Sequence, residues 1–199
     1  MTVKLPKEER VQHIVEAAVA EFLEKGYDGA SMEAIAKRAG ISKGGLYHHF
    51  HNKDEVLVFA NQVFMEPVEE LMQQLTASPT VTGGLQLYIL HYINHWVTHR
   101  KELEFYFLVM DKAFRDPGLL AVFGDYAGEM LEFVQGVYQA GIDAGEFVNM
   151  DARKMAIAFL SAIDGSLAYM MLHEAFEPVA VIEALQEILV LKYQLTMDS

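Results

Sequence analysis

Apolar residues recur at helical spacing along almost the whole chain, and no stretch of useful length alternates as a strand would. Val11, Ile14, Val15, Ala18 and Phe22 make one face of a first helix, which Pro6 can open and Gly26 can stop in the left-handed region. After the turn Tyr27-Asp28-Gly29-Ala30, Ser31 can cap a short helix from Met32 to Ala39, with Ile35 and Ala36 inward and Lys37 and Arg38 outward. Gly40 ends it. Ser42 can cap a third helix, Lys43 to Phe50, whose Leu46 and Phe50 face inward. So short a turn forces a steep crossing, as in a helix-turn-helix. Asn52 with Glu55 three residues on makes a capping-box-like start for a fourth helix.

Breaks at Ser78-Pro79, His99-Arg100, Asp116-Pro117-Gly118, Gly145-Glu146 and Glu177-Pro178 divide the remainder into helices near 53–77, 84–98, 101–115, 117–144, 151–174 and 178–196. The expectation is an all-α chain of about nine helices, with a helix-turn-helix domain over 1–52 and a helical body over 53–199. Pro67 removes a backbone bond and should kink or divide the fourth helix near Val63 to Glu66. That kink is either passive or a place where the body alters the orientation of the head. In 151–174, Ala158, Ala162 and Gly165 form a small-residue stripe, while Phe159, Ile163, Leu167 and Met170 form an apolar one. In 178–196, Ile182, Leu185, Ile188 and Leu189 keep helical spacing, and Val190 and Leu191 widen the stripe beyond what one packed face needs. Such excess favours association, so a homodimer is expected through these two helices.

Charge is uneven along the chain. The net −13 would weigh against DNA, whose phosphates must be neutralised. Residues 1–55, however, carry eight Lys and Arg against nine Asp and Glu, whereas 56–199 carry seven against nineteen. Within 25–53 the balance is five bases to two acids, a modest basic footprint. The first ten residues hold no apolar stretch of signal length, and the longest apolar run, Ala156–Leu172, is short for a bilayer span and carries Asp164 and Gly165. A cytoplasmic protein without membrane association is expected, with that run as a buried helix. The absence of cysteine removes disulfides and thiolate metal sites.

The third helix opens Lys43-Gly44-Gly45, almost without side-chain bulk, so it can approach phosphates closely and offer them backbone N–H groups. Tyr47 and His48 lie opposite Leu46 and Phe50, where they can reach base edges or phosphates or simply cover the surface. His49 and Lys53 fall where flanking phosphates would run. The ordered run from Gly26 to Lys53, GYDGASMEAIAKRAGISKGGLYHHFHNK, together with Ala18 and Phe22, resembles the N-terminal domain of the tetracycline-repressor (TetR) family. It covers about a quarter of the chain. The resemblance implies an all-helical dimer whose divergent C-terminal domain binds ligand and dimerises. It also places Ser31, Lys43, Tyr47, His48, His49 and Lys53 at positions that contact DNA. The expected function is a ligand-responsive transcriptional regulator, a repressor released from an inverted-repeat operator by a small, largely apolar effector.

The middle helices are rich in aromatic residues and methionine. Many must be core, but Phe64, Tyr92, His95, Trp96, Tyr106, Met110, Tyr126, Met130, Phe133 and Phe159 would also suit the wall of an apolar effector site. Asp164 can meet a cationic or hydroxyl-bearing ligand, or satisfy a backbone group near Gly165; the second asks less of the sequence. His91, His95 and His99 are spaced i, i+4, i+8, and two neighbours can share a metal ion, but Asn94 precedes His95 and no HExxH arrangement is present. There is no nucleophile constellation, phosphate-cradling loop or dinucleotide fingerprint. No cofactor and no enzymatic activity are expected. The alternatives are a His-dependent metalloenzyme and a binding protein of the same fold whose head has lost DNA function.

Overall fold

The computed structural model describes residues 7–194, with side chains from Val11 onward. Pro6 and the last two residues of the expected final helix, Leu195 and Thr196, lie outside the described residues. The described chain is all α, with helices α1 (Lys7–Gly29), α2 (Met32–Arg38), α3 (Lys43–Tyr47), α4 (Lys53–Ala77), α5 (Val81–Thr98), α6 (Arg100–Arg115), α7 (Pro117–Asp143), α8 (Ala152–Leu172) and α9 (Pro178–Leu189). A 3-10 turn, Leu191–Tyr193, follows, and one isolated bridge pairs Phe147 with Gln194.

Local signals account for most of the boundaries. Gly26 breaks α1 with φ 71°, a left-handed value that an L side chain rarely adopts. Ser31, Ser42, Thr80 and Asp151 each accept a hydrogen bond from the backbone N–H three residues on and so cap α2, α3, α5 and α8. Asn52 Oδ1 likewise accepts from Glu55 N at 2.9 Å, while the Glu55 carboxylate accepts from His51 N at 2.8 Å. Two expected elements are shorter in the structure. α3 stops at Tyr47 and residues 48–50 form a turn, and α9 stops at Leu189, where Val190 leaves the helical region with ψ −68° at φ −125°. α4 runs through Pro67 as one helix, so of the expected kink or division the division is absent.

The chain forms two compact units. The first comprises residues 1–66 and 101–120, the second 67–100 and 121–199. The unit holding the helix-turn-helix is therefore larger than the expected 1–52, because the first half of α4 and most of α6 pack with it. In that unit Phe22 of α1 and Phe64 of α4 both meet Phe105 of α6, with ring centroids 6.1 and 5.6 Å apart. Phe50 meets Phe59 at 5.3 Å.

In the second unit α5 packs on α9 and α8, and α8 packs on α9. Phe159, Ile163 and Leu167 of α8 are buried, whereas Ile157, Tyr169 and Leu172 are exposed. α8 is 21 residues long, close to the expected 151–174, and long and apolar enough to cross a bilayer by length and composition only; 28% of that apolar stretch is buried, so the helix expected to be buried has only one face covered. On α9, Ile182, Leu185, Leu189 and the following Val190 face the core, while Val179, Ile188 and Leu191 face out. Gly141 lets the ring of Phe147 approach so closely that a Cβ there would lie 2.4 Å from it.

The Glu146 carboxylate accepts from Val81 N and Thr82 N, both at 2.8 Å, and so ties the segment after α7 to the start of α5. Burial raises this carboxyl, but the bonds from Thr82 and Val81 outweigh it and hold the group below its ordinary 4.5. A carboxyl depressed by folding stabilises above its unfolded value and loses that contribution as pH falls through the folded one. Glu146→Gln should therefore lower Tm at pH 7 by about 2–4 °C, the effect of roughly 1 kcal/mol at a helix start. The difference from wild type should shrink towards pH 3, as read by thermal melts followed by circular dichroism.

Candidate nucleic-acid interface and effector site

The helix-turn-helix is built by burying one side of two very short helices. Ile35 and Ala36 of α2, and Leu46 and Phe50 in and just after α3, are buried, as are Ile14, Val15, Ala18 and Phe22 of α1. Gly40, at φ 67°, turns the chain between them, and Ile41 N bonds back to Ala36 O at 3.0 Å. The residues left outside are Ser31, Lys43, Gly44, Tyr47 and His48, all exposed, with His49 half-buried. His48 and His49 meet edge to face, ring centroids 5.5 Å apart.

Their electrostatics are less open than the sequence suggests. Lys43 donates to Glu33 across the α2–α3 turn, and Arg38, exposed as expected, pairs with Glu24 and Glu21 of α1. Glu24 is held down to about 2 by its bonds from Lys25 and then Arg38. Lys37 is exposed.

Lys53 points inward rather than along the surface. Its ammonium donates to Tyr27 O at 2.5 Å and Ala30 O at 3.0 Å and lies 4.2 Å from the centre of the Tyr27 ring. Lys112 of α6 lies 4.7 Å from the same ring, and the Tyr27 hydroxyl donates to Asp54. Burial, then Asp54, pushes the Tyr27 phenol up. Sequence reasoning missed this clamp because Lys112 and Tyr27 are far apart in the chain. Gly44 is informative in the opposite way. A Cβ there would meet nothing within 4 Å, so nothing inside this chain requires a glycine at that exposed position.

The residues expected around an effector divide between the two units. In the first, Phe64 packs against Phe105, Tyr106 lies 5.6 Å from Phe107, and Met110 is half-buried on α6. In the second, Tyr92, Trp96 and Phe159 are buried, Met130 and Phe133 are half-buried, and Tyr126 is 38% exposed. Tyr92 stacks on Tyr88 at 5.5 Å and meets the edge of Trp96 at 6.2 Å; Tyr88 lies 5.9 Å from Phe159. Tyr88, one helical turn before Tyr92, belongs to this cluster, and its i, i+4 spacing was the signal that could have found it. Asp164 Oδ1 accepts from the Tyr92 hydroxyl at 2.9 Å instead of serving a backbone group. His95 stacks on His99 at 4.5 Å, and burial first, then the neighbouring His99, pulls the His95 imidazole down. His91 stands apart, exposed.

The described residues thus combine a helix-turn-helix, whose third helix is bare on one face, with an all-helical remainder. The sequence profile of the family described as bacterial regulatory proteins, tetR family, matches residues 14–58, the stretch that holds the helix-turn-helix. The chain is 36% identical over 90 residues to the HTH-type transcriptional regulator PksA of Bacillus subtilis (strain 168), a match covering 45% of this chain and 44% of that one. The chain therefore spans less than half the length of that curated relative. Among solved structures, it is similar to the SmeT–triclosan complex, with TM-score 0.80, 21% identity, and 95% of this chain and 93% of that one covered. It is also similar to FadR of Bacillus subtilis in complex with stearoyl-CoA, with TM-score 0.73, 22% identity, and 90% and 97% covered. At these identities the likeness is one of fold.

The positions of Lys53 and Tyr47 predict opposite phenotypes. Lys53→Ala should destabilise the protein by about 1–2 kcal/mol, through two lost carbonyl bonds and a cation–π contact. Tyr47→Ala, on an exposed face, should stay within about 0.5 kcal/mol of wild type. Urea denaturation of both variants checks the difference.

Proposed function

We propose that the chain is a cytoplasmic, homodimeric transcriptional regulator that binds an inverted-repeat operator through α3 and leaves it when a small, largely apolar effector binds the helical body. The observation that carries the DNA reading is the exposed set Lys43, Gly44, Tyr47 and His48 on a helix whose other side, Leu46, is buried. Lys43 and His48 offer donors to phosphates or base edges, Tyr47 offers a ring and a hydroxyl, and Gly44 leaves room for close approach. Ser31 and His49 flank them. In this reading Lys53 acts by holding the α1–α2 turn and the start of α4 together, and so by positioning the contacting residues. The pair Lys43–Glu33 has to open for Lys43 to reach a phosphate.

The dimer reading rests on the outer faces of α8 and α9, where Ile157, Tyr169, Leu172, Val179, Ile188 and Leu191 are exposed together with Ala158. Gly165 is open enough for another backbone to approach, since nothing lies within 4 Å of where its Cβ would be. Two heads must reach successive major grooves on one face of the duplex, about 34–36 Å apart, so an effector that alters their separation weakens binding. The named complexes of SmeT with triclosan and FadR with stearoyl-CoA support an effector-binding role for a body of this fold.

The test is selection of bound DNA from a random pool by the full chain at stated salt, followed by gel shifts on the selected sequence. Tyr47→Ala should weaken that binding by about 5- to 150-fold, the loss of roughly 1–3 kcal/mol of groove contact. No sequence enrichment from the pool would remove the DNA reading and leave a binding protein of the same fold.

Charge placed on the outer face of α9, Ile188→Glu, should convert the dimer to a folded monomer in sedimentation runs. Leu185 is unsuitable for that purpose, since it is buried in the protomer and a carboxylate there would unfold it.

A further inference from the structure

α5 ends on two histidines one turn apart, His95 and His99, which share a face of the helix because of their i, i+4 spacing. Their imidazole rings lie side by side, with centroids 4.5 Å apart and planes 28° apart. One ring nitrogen of each lies within 4.8 Å of the other. His95 is half-buried and His99 exposed, so the pair stands at the surface of the second unit. It is on α5, not on the outer faces of α8 and α9 assigned above to the dimer.

The hydrogen bond at the end of the helix sets the chemistry of the pair. His99 Nδ1 lies 2.9 Å from His95 O. A carbonyl oxygen only accepts, so Nδ1 is the donor, and in the neutral ring Nε2 carries the lone pair. Histidines that ligate metal commonly donate from their other ring nitrogen to a backbone carbonyl in this way, which fixes the tautomer and the direction of the ring. Imidazole suits zinc, nickel and copper, whereas magnesium and calcium take oxygen ligands. Two nitrogens on one tetrahedral zinc, each about 2.1 Å from it, stand roughly 3.4 Å apart, a separation that a small side-chain rotation reaches from 4.8 Å. The unit around them carries fourteen Asp and Glu against four Lys and Arg, a net −10 that draws cations towards it.

We propose that His95 and His99 chelate a divalent transition-metal ion of the zinc, nickel and copper class across the last turn of α5, with water completing its coordination. The ion holds together the end of the helix, where His99 is the C-cap residue. His91, one turn before His95, lies outside that group of donors and takes no part. The site is independent of the DNA and effector readings above.

Trp96, the one tryptophan of the chain, reports on the site, because its buried ring meets the His95 ring edge to face with centroids 5.1 Å apart. The full chain, without a histidine tag, is titrated with Ni2+, Zn2+ and Mg2+ and followed by Trp96 fluorescence and by calorimetry. Ni2+, with its open d shell, should quench Trp96 in a saturable way, and excess Zn2+ should reverse the quenching by competing for the same nitrogens. Mg2+ should leave the fluorescence unchanged. His95→Gln and His99→Gln should each lower Ni2+ affinity in calorimetry by about 10- to 100-fold, since the remaining imidazole loses a second ligand held at high effective concentration. His91→Gln should keep the wild-type affinity. His99→Gln, at an exposed position, decides the matter even where His95→Gln fails to fold. Ni2+ affinity that survives His99→Gln overturns the proposal, as does an equal loss in His91→Gln. So does wild-type Trp96 fluorescence that Ni2+ leaves unchanged, that Mg2+ quenches as strongly, or that excess Zn2+ does not restore.

Discussion

Helices as short as Met32–Arg38 and Lys43–Tyr47 do not persist in water on their own, because nucleating a helix costs more than so few backbone bonds return. Burial of Ile35, Ala36, Leu46 and Phe50 has to supply the difference. The serine caps at Ser31 and Ser42 and the left-handed Gly40 then set where each helix starts and how the chain turns between them. With one side committed to burial, the opposite side of α3 is presented to solvent in a defined orientation, and a face that reads another molecule needs that definition.

The same unit shows why a basic residue near the exposed third helix is not automatically left facing solvent. Lys53 and Lys112 both lie over the Tyr27 ring, and Lys53 also bonds the two carbonyls that the α1–α2 turn leaves available. A carbonyl pair and an aromatic face held in place by the chain compete effectively with solvent for an ammonium group. Lys43 has an exposed carboxylate, Glu33, as its ion-pair partner, and an exposed pair of that kind is worth little, so it opens readily.

In the second unit two acids contrast, one held by backbone N–H groups and one by a phenol. Glu146 accepts two backbone N–H bonds at the start of α5 and is held ionised by them, whereas Asp164 has a single phenol donor and a desolvating environment. Two carboxylates in one unit thus differ: one fastens a helix start and is held ionised, and the other accepts a phenol's hydrogen bond and is pushed towards its neutral form by burial. α8 and α9 show a similar division between faces, since each buries one apolar side within the protomer and exposes another.

Sequence periodicity, caps and left-handed glycines were enough to determine the all-helical class, the number of helices and most helix starts, because these signals act over a few residues; the ends of α3 and α9 and the start of α5 were missed. The helix-turn-helix was legible for the same reason, as its residues lie within one short run. Which face of a helix meets its own chain was only half legible. Ile182, Leu185, Ile188 and Leu189 share one spacing, yet Ile188 alone of the four faces out, a choice made by α5 and α8 packing from elsewhere in the chain. The partner of Asp164 could not be read either, since Tyr92 is 72 residues away and only the packing of α5 against α8 brings the phenol to it. Local signals decide where helices begin and end. Long-range contacts, which no short window of sequence contains, decide what each side chain touches.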